Sequence, residues 1–221
     1  MRVVITGASR GIGREIATRL AARGEWVLGT YRAPAQDLPP GIAWHRLDVT
    51  DAAAVAEAGR AQADQPLDLL ICNAGVLLDK GARFGAGYEP EVWAQTFAVN
   101  VMGVFLTIEA FLPALRRADR PRIAIMASNM GAQARAPGGN YIYRASKAAA
   151  INLGRNIARD LAPDGIAVGI YHPGWVRTDM GGTGADIDVG TSAGNLIARF
   201  DALDMDASGR FVNHDGQNLA L

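Results

Sequence analysis

A single cysteine, Cys72, occurs in 221 residues, which excludes an internal disulfide and fits a reducing compartment. Lysine is nearly as scarce: twenty of the 22 basic residues are arginine, leaving only Lys80 and Lys147. Neither sign of charge is in excess, with 22 acidic residues against 22 basic and a formal net charge of zero. Bulk-charge binding to nucleic acid or to an anionic membrane is therefore not expected. The three histidines, His45, His172 and His214, are scattered and make no ligand spacing with the one cysteine, so no metal site is expected. No continuous apolar run approaches the roughly 18 residues of a membrane span. The start, Arg2-Val3-Val4-Ile5, carries no signal-peptide pattern. The expectation is a cytoplasmic protein. Repeats, low-complexity tracts and long linkers are missing too, so residues 1–221 are expected to form one domain.

What is present is alternation. Short β-branched runs alternate with longer, alanine-rich stretches of helical period, as in repeated βαβ units around a parallel sheet. Strands are predicted at Val3–Thr6, Trp26–Thr30, Ile42–Leu47, Leu67–Cys72, Arg122–Ala127, Ile166–Tyr171 and Arg210–Asn213. Helices are predicted at Ile12–Ala22, Asp51–Ala63, Glu91–Leu115, Tyr143–Leu161 and Val189–Leu203. The near-continuous apolarity of Leu67–Cys72 suits a strand covered on both faces, where the Cys72 thiol is inert packing. The link between the second and third strands is short and holds Pro34, Pro39 and Pro40, which argues against a regular helix there.

Two stretches carry chemistry. The first strand runs into Thr6-Gly7-Ala8-Ser9-Arg10-Gly11-Ile12-Gly13 and then a helix. Glycines at such a turn allow close backbone approach to a diphosphate, and the helix N-terminus adds amides and a positive dipole. The second stretch is Tyr143-Arg144-Ala145-Ser146-Lys147 at the head of a helix. Residues four apart stack on one helical face, about 6 Å apart along the axis, so the Tyr143 phenol and the Lys147 ammonium lie side by side. A nearby cation favours phenolate, and the tyrosine pKa is expected to fall from its usual value of about 10. Reaching neutrality takes about 4 kcal/mol from Lys147 and other neighbours. The alternative is a surface helix whose lysine stem packs over an aromatic ring.

With these residues in hand, the chain resembles the short-chain dehydrogenase/reductase family, whose motifs are Thr-Gly-x-x-x-Gly-x-Gly and Tyr-x-x-x-Lys. The resemblance covers almost the whole chain. It implies an α/β fold: a single Rossmann-type doubly wound domain of about seven parallel strands with helices on both faces. It further implies that Asp48 and Val49 contact the adenine, and that Asn73-Ala74-Gly75 matches the family's Asn-Asn-Ala-Gly with Cys72 in place of the first asparagine. Asn100 then supports a proton-relay water, and Ser128, three residues before Gly131, is the catalytic serine. The loop from Ser128 to Tyr143 is longer than the commoner family spacing. Counting by that spacing would reach Met130, which has no hydroxyl to offer a substrate oxygen. Together with Tyr171-His172-Pro173-Gly174-Trp175-Val176-Arg177-Thr178-Asp179-Met180 and the closing Ser208–Gly216 segment, this loop resembles the C-factor/sniffer-like carbonyl reductase branch. Pro173, Gly174, Val176 and Thr178 are then implied on the nicotinamide side, with Tyr143 and Lys147, and Gly7, Ser9, Arg10, Gly11, Ile12 and Gly13 at the diphosphate.

The end of the second strand bears on the choice of nucleotide. A dinucleotide fold selecting NAD offers a carboxylate there, whereas arginine accommodates a 2′-phosphate. Here Gly29-Thr30-Tyr31-Arg32 has no acid before Asp37, and Arg10 lies in the glycine turn. Paired guanidinium donors favour NADP(H), unless Arg32 is merely solvated. Trp175 either lines the substrate pocket or packs beneath a loop. Ala148, Ala149, Ala150 and Gly154 suit a second copy of the helix, which the family uses in a homodimer or homotetramer, or equally their own sheet. The resulting expectation is hydride transfer between NADP(H) and a small-molecule carbonyl or secondary alcohol, with Ser128, Tyr143, Lys147 and Asn100 as catalytic residues. The alternative is a signalling or sensing protein that binds NADP(H) with little turnover. A sugar-nucleotide epimerase is disfavoured, since little chain follows Thr178 for a substrate domain.

Overall fold

Burial of both faces of short central strands decides the architecture. In the computed structural model, which describes residues 1–33, 37–85 and 87–221, seven strands form one all-parallel sheet. They are β1 (Arg2–Ile5), β2 (Trp26–Tyr31), β3 (Ala43–Arg46), β4 (Leu69–Cys72), β5 (Arg122–Met126), β6 (Ala167–His172) and β7 (Phe211–Asn213), in the order β3-β2-β1-β4-β5-β6-β7. Helices α1 (Gly11–Ala22), α2 (Ala52–Arg60), α3 (Pro90–Phe97), α4 (Gly103–Leu115), α5 (Tyr141–Leu161) and α6 (Val189–Asp201) cover both faces. Successive strand residues point to opposite faces. Thus Val3, Ile5, Leu69, Ile71 and Met126 pack with α1 and α6. Val4, Leu70, Ile123, Ile125 and Val168 pack with α2, α4 and α5. The strand order reverses between β1 and β4, which opens a crevice at their C-terminal ends.

Each expected strand is present with its ends displaced by no more than two residues; β1 starts one residue early, and β2 and β6 each end one residue late. The expected helix Glu91–Leu115 is instead α3, a five-residue π turn at Ala98–Met102, and α4. This helical segment, Pro90–Leu115, is 26 residues long and apolar enough to cross a membrane by length and composition. That corrects the reading from continuous apolar runs: Thr96, Asn100 and Thr107 interrupt the run, yet all three are buried inside the protein. Half of the apolar stretch is buried against the rest of the chain. Helix α5 starts at Tyr141, two residues before the expected start. Between β2 and β3 no helix forms among the described residues, which include Pro39 and Pro40; Pro34 lies outside them.

Local capping contributes where packing is thin. Asp51 precedes α2, and its carboxylate accepts hydrogen bonds from the amides of Ala53 and Ala54 at 3.1 and 3.0 Å. Asp51→Ala is expected to cost about 1 kcal/mol. In a chain of this size that is a fall of roughly 2–4 °C in Tm, readable by calorimetry.

Candidate active site

The crevice is stitched shut at its base by the turns after β1 and β4. Thr6 Oγ1 accepts from the amides of Asn73 and Ala74, both at 3.1 Å. The Asn73 side-chain amide donates back to the carbonyls of Thr6 and Gly7, both at 2.9 Å. Such proximity leaves no room for side chains. A Cβ on Gly7, whose φ is +66°, would lie 2.9 Å from the Ala74 Cα, and one on Gly13 would collide with the Asn73 amide. Helix α1 starts without a side-chain cap at Arg10, so its first amides face the crevice unpaired by a local side chain. Ser9 and Ile12 are half-buried beside them. This uncapped cradle, where only glycine fits, suits a diphosphate.

Beyond β2, Arg32 is exposed, and its carbonyl accepts from Arg46 Nε at 3.2 Å. Arg10 instead reaches across the crevice to Asp179, at 3.4 Å. Asp48 Oδ1 accepts from the Thr50 amide and hydroxyl at 2.9 and 2.8 Å. Burial works against the Asp48 charge, but the Thr50 hydrogen bonds and the Arg32 guanidinium outweigh it and lower its pKa. Val49 is buried beneath.

On the other side, Thr178 packs against the glycine turn: its methyl lies 3.6 Å from where a Gly11 Cβ would be. The Thr178 hydroxyl accepts from the Gly181 amide at 3.1 Å. Val176 bridges to Ile187 and is buried. The Pro173 carbonyl accepts from Ser192 Oγ at 2.7 Å, and Gly174 takes a left-handed φ of +88°. Trp175 is pinned by a 2.9 Å bond from its indole N–H to the Gly181 carbonyl, with half its surface exposed.

At the centre, Ser128, Tyr143, Lys147 and Asn100 are all buried, at 5, 8, 5 and 0% exposure. Tyr143 and Lys147 project from the inner face of α5. Lys147 Nζ donates to the Met126 carbonyl at 2.8 Å and lies 5.7 Å from the centre of the Tyr143 ring. Ser128 follows β5, and its hydroxyl faces the Tyr143 phenol. Asn100 sits on the π turn and is bound three ways. Its Oδ1 accepts from the Val76 amide at 2.9 Å, while Nδ2 donates to the Val76 carbonyl at 2.9 Å and to Ser146 Oγ at 3.0 Å. Gly75 completes the group: a Cβ there would meet Asn100 Oδ1 at 3.3 Å and Lys147 Nζ at 3.5 Å.

The electrostatics depart from expectation. Rather than falling, the Tyr143 pKa is pushed up to about 12, chiefly by burial. The Ser128 hydroxyl counters this, and the Asp79 charge adds to it. Burial also lowers Lys147 to about 8, so the expected cation is itself costly to maintain. Side-by-side placement on a helix carries no information about desolvation, and desolvation dominates here.

Asp79 is the residue that sequence reasoning missed. It is 3% exposed in the loop after β4, and its carboxylate accepts from the amides of Ile142 and Tyr143 at 2.8 and 3.3 Å. Nothing local marks it, because its partners lie 63 and 64 residues away. Next to it, Lys80 Nζ donates to the Met180 carbonyl at 3.1 Å. Both lysines of the chain thus border the crevice.

Elsewhere, burial pushes Cys72 up to about 12 and, with help from His214 and Arg135, His172 down to about 4. Among the described residues no group of three or more His, Cys, Asp or Glu side chains is placed to hold a metal. Ala150 is buried, and Gly154 packs against Ile125 and Ile170 of its own sheet, while Ala148 and Ala149 stay half-buried.

Residues 1–186 match the family model of short chain dehydrogenases. The chain is 39% identical over 155 residues to the C-signal of Myxococcus xanthus, covering 70% of this chain and 92% of that protein. It is 35% identical over 186 residues to the 3-oxoacyl-[acyl-carrier-protein] reductase FabG of Escherichia coli, covering 80% of this chain and 74% of the reductase. Among solved structures, the carbonyl reductase Sniffer of D. melanogaster superposes with a TM-score of 0.92 at 31% identity, over 100% of this chain and 99% of that one. The NADPH-bound carbonyl reductase from chicken fatty liver gives 0.90 at 29% identity, over 100% and 98%. A glycine cradle at the β1–β4 crevice, a parallel sheet in this order and a match over most of the length agree: the chain belongs to the short-chain dehydrogenase family, whose members are oxidoreductases.

Proposed function

We propose that the protein is an NADP(H)-dependent oxidoreductase that interconverts a carbonyl and a secondary alcohol of a small molecule. The observation that carries this reading is the burial of Tyr143, Ser128 and Lys147 together at the crevice, beside Gly75 and Asn100. A nicotinamide nucleotide, when bound, supplies or accepts the hydride. Gly7, Ser9, Gly11, Ile12, Gly13 and the open end of α1 would hold its diphosphate, and Asp48 and Val49 its adenine. Asn73, Ala74, Gly75, Pro173, Gly174, Val176 and Thr178 would frame the nicotinamide side, and Lys147 the adjacent ribose. In reduction Tyr143 gives its proton to the developing alkoxide; with its pKa pushed up to about 12 the phenol holds that proton at neutrality, and the alkoxide is the stronger base that takes it. Ser128 orients the substrate oxygen, and Asn100 keeps the β4 loop and α5 in register. Ala148 and Ala149 leave the outer face of α5 smooth enough for a second copy of the chain, as a homodimer or homotetramer.

Preference for NADP(H) is supported by the exposed Arg32 at the end of β2 and by the NADPH bound in the chicken carbonyl reductase. Arg32→Ala is expected to raise the KM for NADPH about tenfold, the loss of one charge-assisted contact, and to leave that for NADH nearly unchanged. Steady-state assays with both nucleotides check this. The reading as a whole is tested by a panel of carbonyls and alcohols assayed with NADPH, NADH, NADP and NAD. No turnover with any member would overturn it and favour the second reading, a nucleotide-binding signalling protein, for which the observation is the 39% identity to C-signal.

A further inference from the structure

Helix α5 carries the two central side chains yet lacks a cap of its own. Asn140, at its N-terminal boundary, adopts a left-handed φ of +45°, and its side chain makes no capping bond. The first-turn amides would be left without partners inside the protein. Asp79 fills this gap from another part of the chain: its Oδ2 accepts from the Ile142 amide at 2.8 Å, and its two oxygens lie 3.3 and 3.4 Å from the Tyr143 amide. We propose that Asp79 is a positioning residue for the reaction, its carboxylate fixing the first turn of α5 and with it the place and the protonation of Tyr143.

The location explains how a carboxylate is tolerated at 3% exposure. Two amides and the positive end of a 21-residue helix stabilise it. The same charge then acts on the phenol of Tyr143, the residue whose backbone amide it holds. The titratable and charged groups facing Tyr143 are Lys147 on its own helix and Asp79 on the β4 loop, with the uncharged Ser128 at the end of β5. Tyr88 also lies close enough to feel the Asp79 charge, and its ring packs edge-on against Tyr141. Of the two charges, Lys147 favours phenolate and Asp79 favours phenol, and Asp79 is among the causes that raise Tyr143. The loop is anchored rather than free, since Lys80 ties it to the Met180 carbonyl on the opposite wall. Asp79-Lys80 therefore spans the site, from the proton donor's helix to the segment after Thr178.

The inference rests on the oxidoreductase reading, and its test separates the two. Asp79→Asn keeps an acceptor oxygen and the shape but removes the charge; Asp79→Ala removes both. For Asp79→Asn the expected result is a folded protein with NADPH affinity unchanged and the pH limb of kcat moved down by about one unit. The sign follows from the phenol: losing a negative neighbour lowers its pKa, so reduction fades at lower pH and oxidation sets in at lower pH. Asp79→Ala is expected to lower kcat at least tenfold through misplacement of the phenol. A pH profile of Asp79→Asn identical to that of the parent would overturn the proposal, because capping alone would not move it. The Tyr143 phenol is also titrated directly by NMR of protein with labelled tyrosine, the signal being assigned with Tyr143→Phe. This readout needs no turnover. If the enzyme panel fails, a lower phenol pKa in Asp79→Asn still supports Asp79, and an unchanged one overturns it. Asp79→Ser, a short uncharged acceptor, takes the place of Asp79→Asn if that variant is not recovered folded.

Discussion

Tyr143→Phe is expected to lower kcat on the order of 10²–10⁴-fold in both directions, the range typical of removing a positioned proton donor. Folding and NADPH affinity are expected to stay near those of the parent. The ring is buried at 8% exposure and its volume is retained, so the packing of α5 on the sheet loses nothing. Burial pushes the Tyr143 pKa up to about 12, so the deleted group is an uncharged hydroxyl and no buried charge loses a partner. Rapid-mixing turnover with NADPH, nucleotide titration by fluorescence and a thermal scan form the measurement. Parent-like turnover would remove Tyr143 from the proposed chemistry. A loss of turnover with equal loss of nucleotide affinity would instead mean that the ring had served as packing.

The second large effect is expected at Asn100. Asn100→Leu preserves volume but deletes three hydrogen bonds, leaving the Val76 amide and carbonyl without their partner and Ser146 with only its bond to the Tyr143 carbonyl. Each buried polar group left unpaired costs about 1–3 kcal/mol. A total of about 3 kcal/mol corresponds to a fall in Tm of roughly 6–12 °C. Turnover is expected to drop more than tenfold, because Val76 adjoins Gly75, where an added Cβ would sit 3.5 Å from Lys147 Nζ. Calorimetry and kcat on the same preparation check both parts. Unchanged stability would show that the π turn does not depend on this side chain.

Much of the site was legible because its signals are local. The turn from Thr6 to Gly13 announces itself by glycines between a strand and a helix, and Tyr143 and Lys147 by their spacing at the head of an alanine-rich run. The structure brings Ser128 to face Tyr143 and gathers Asn100, Gly75 and Lys147 at one point. Less was legible in the helix expected from Glu91 to Leu115. An apolar pattern gives no hint that one turn widens to let Asn100 reach the β4 loop, since a π turn is selected by what the side chain meets. Arg10 is a similar case: its place in the glycine turn suggests a phosphate partner, whereas the fold sets it against Asp179, 169 residues on.

By itself, then, the sequence determined the parallel α/β order, the phosphate-type turn and the adjacency of phenol and ammonium. Each of these follows from periodicity or spacing within a few residues. Tertiary structure alone decided that Tyr143 stays protonated, that Lys147 is lowered rather than Tyr143, and that Asp79 caps α5. Protonation depends on how much water is excluded and on which charges arrive from distant loops. Neither quantity exists until the chain has folded.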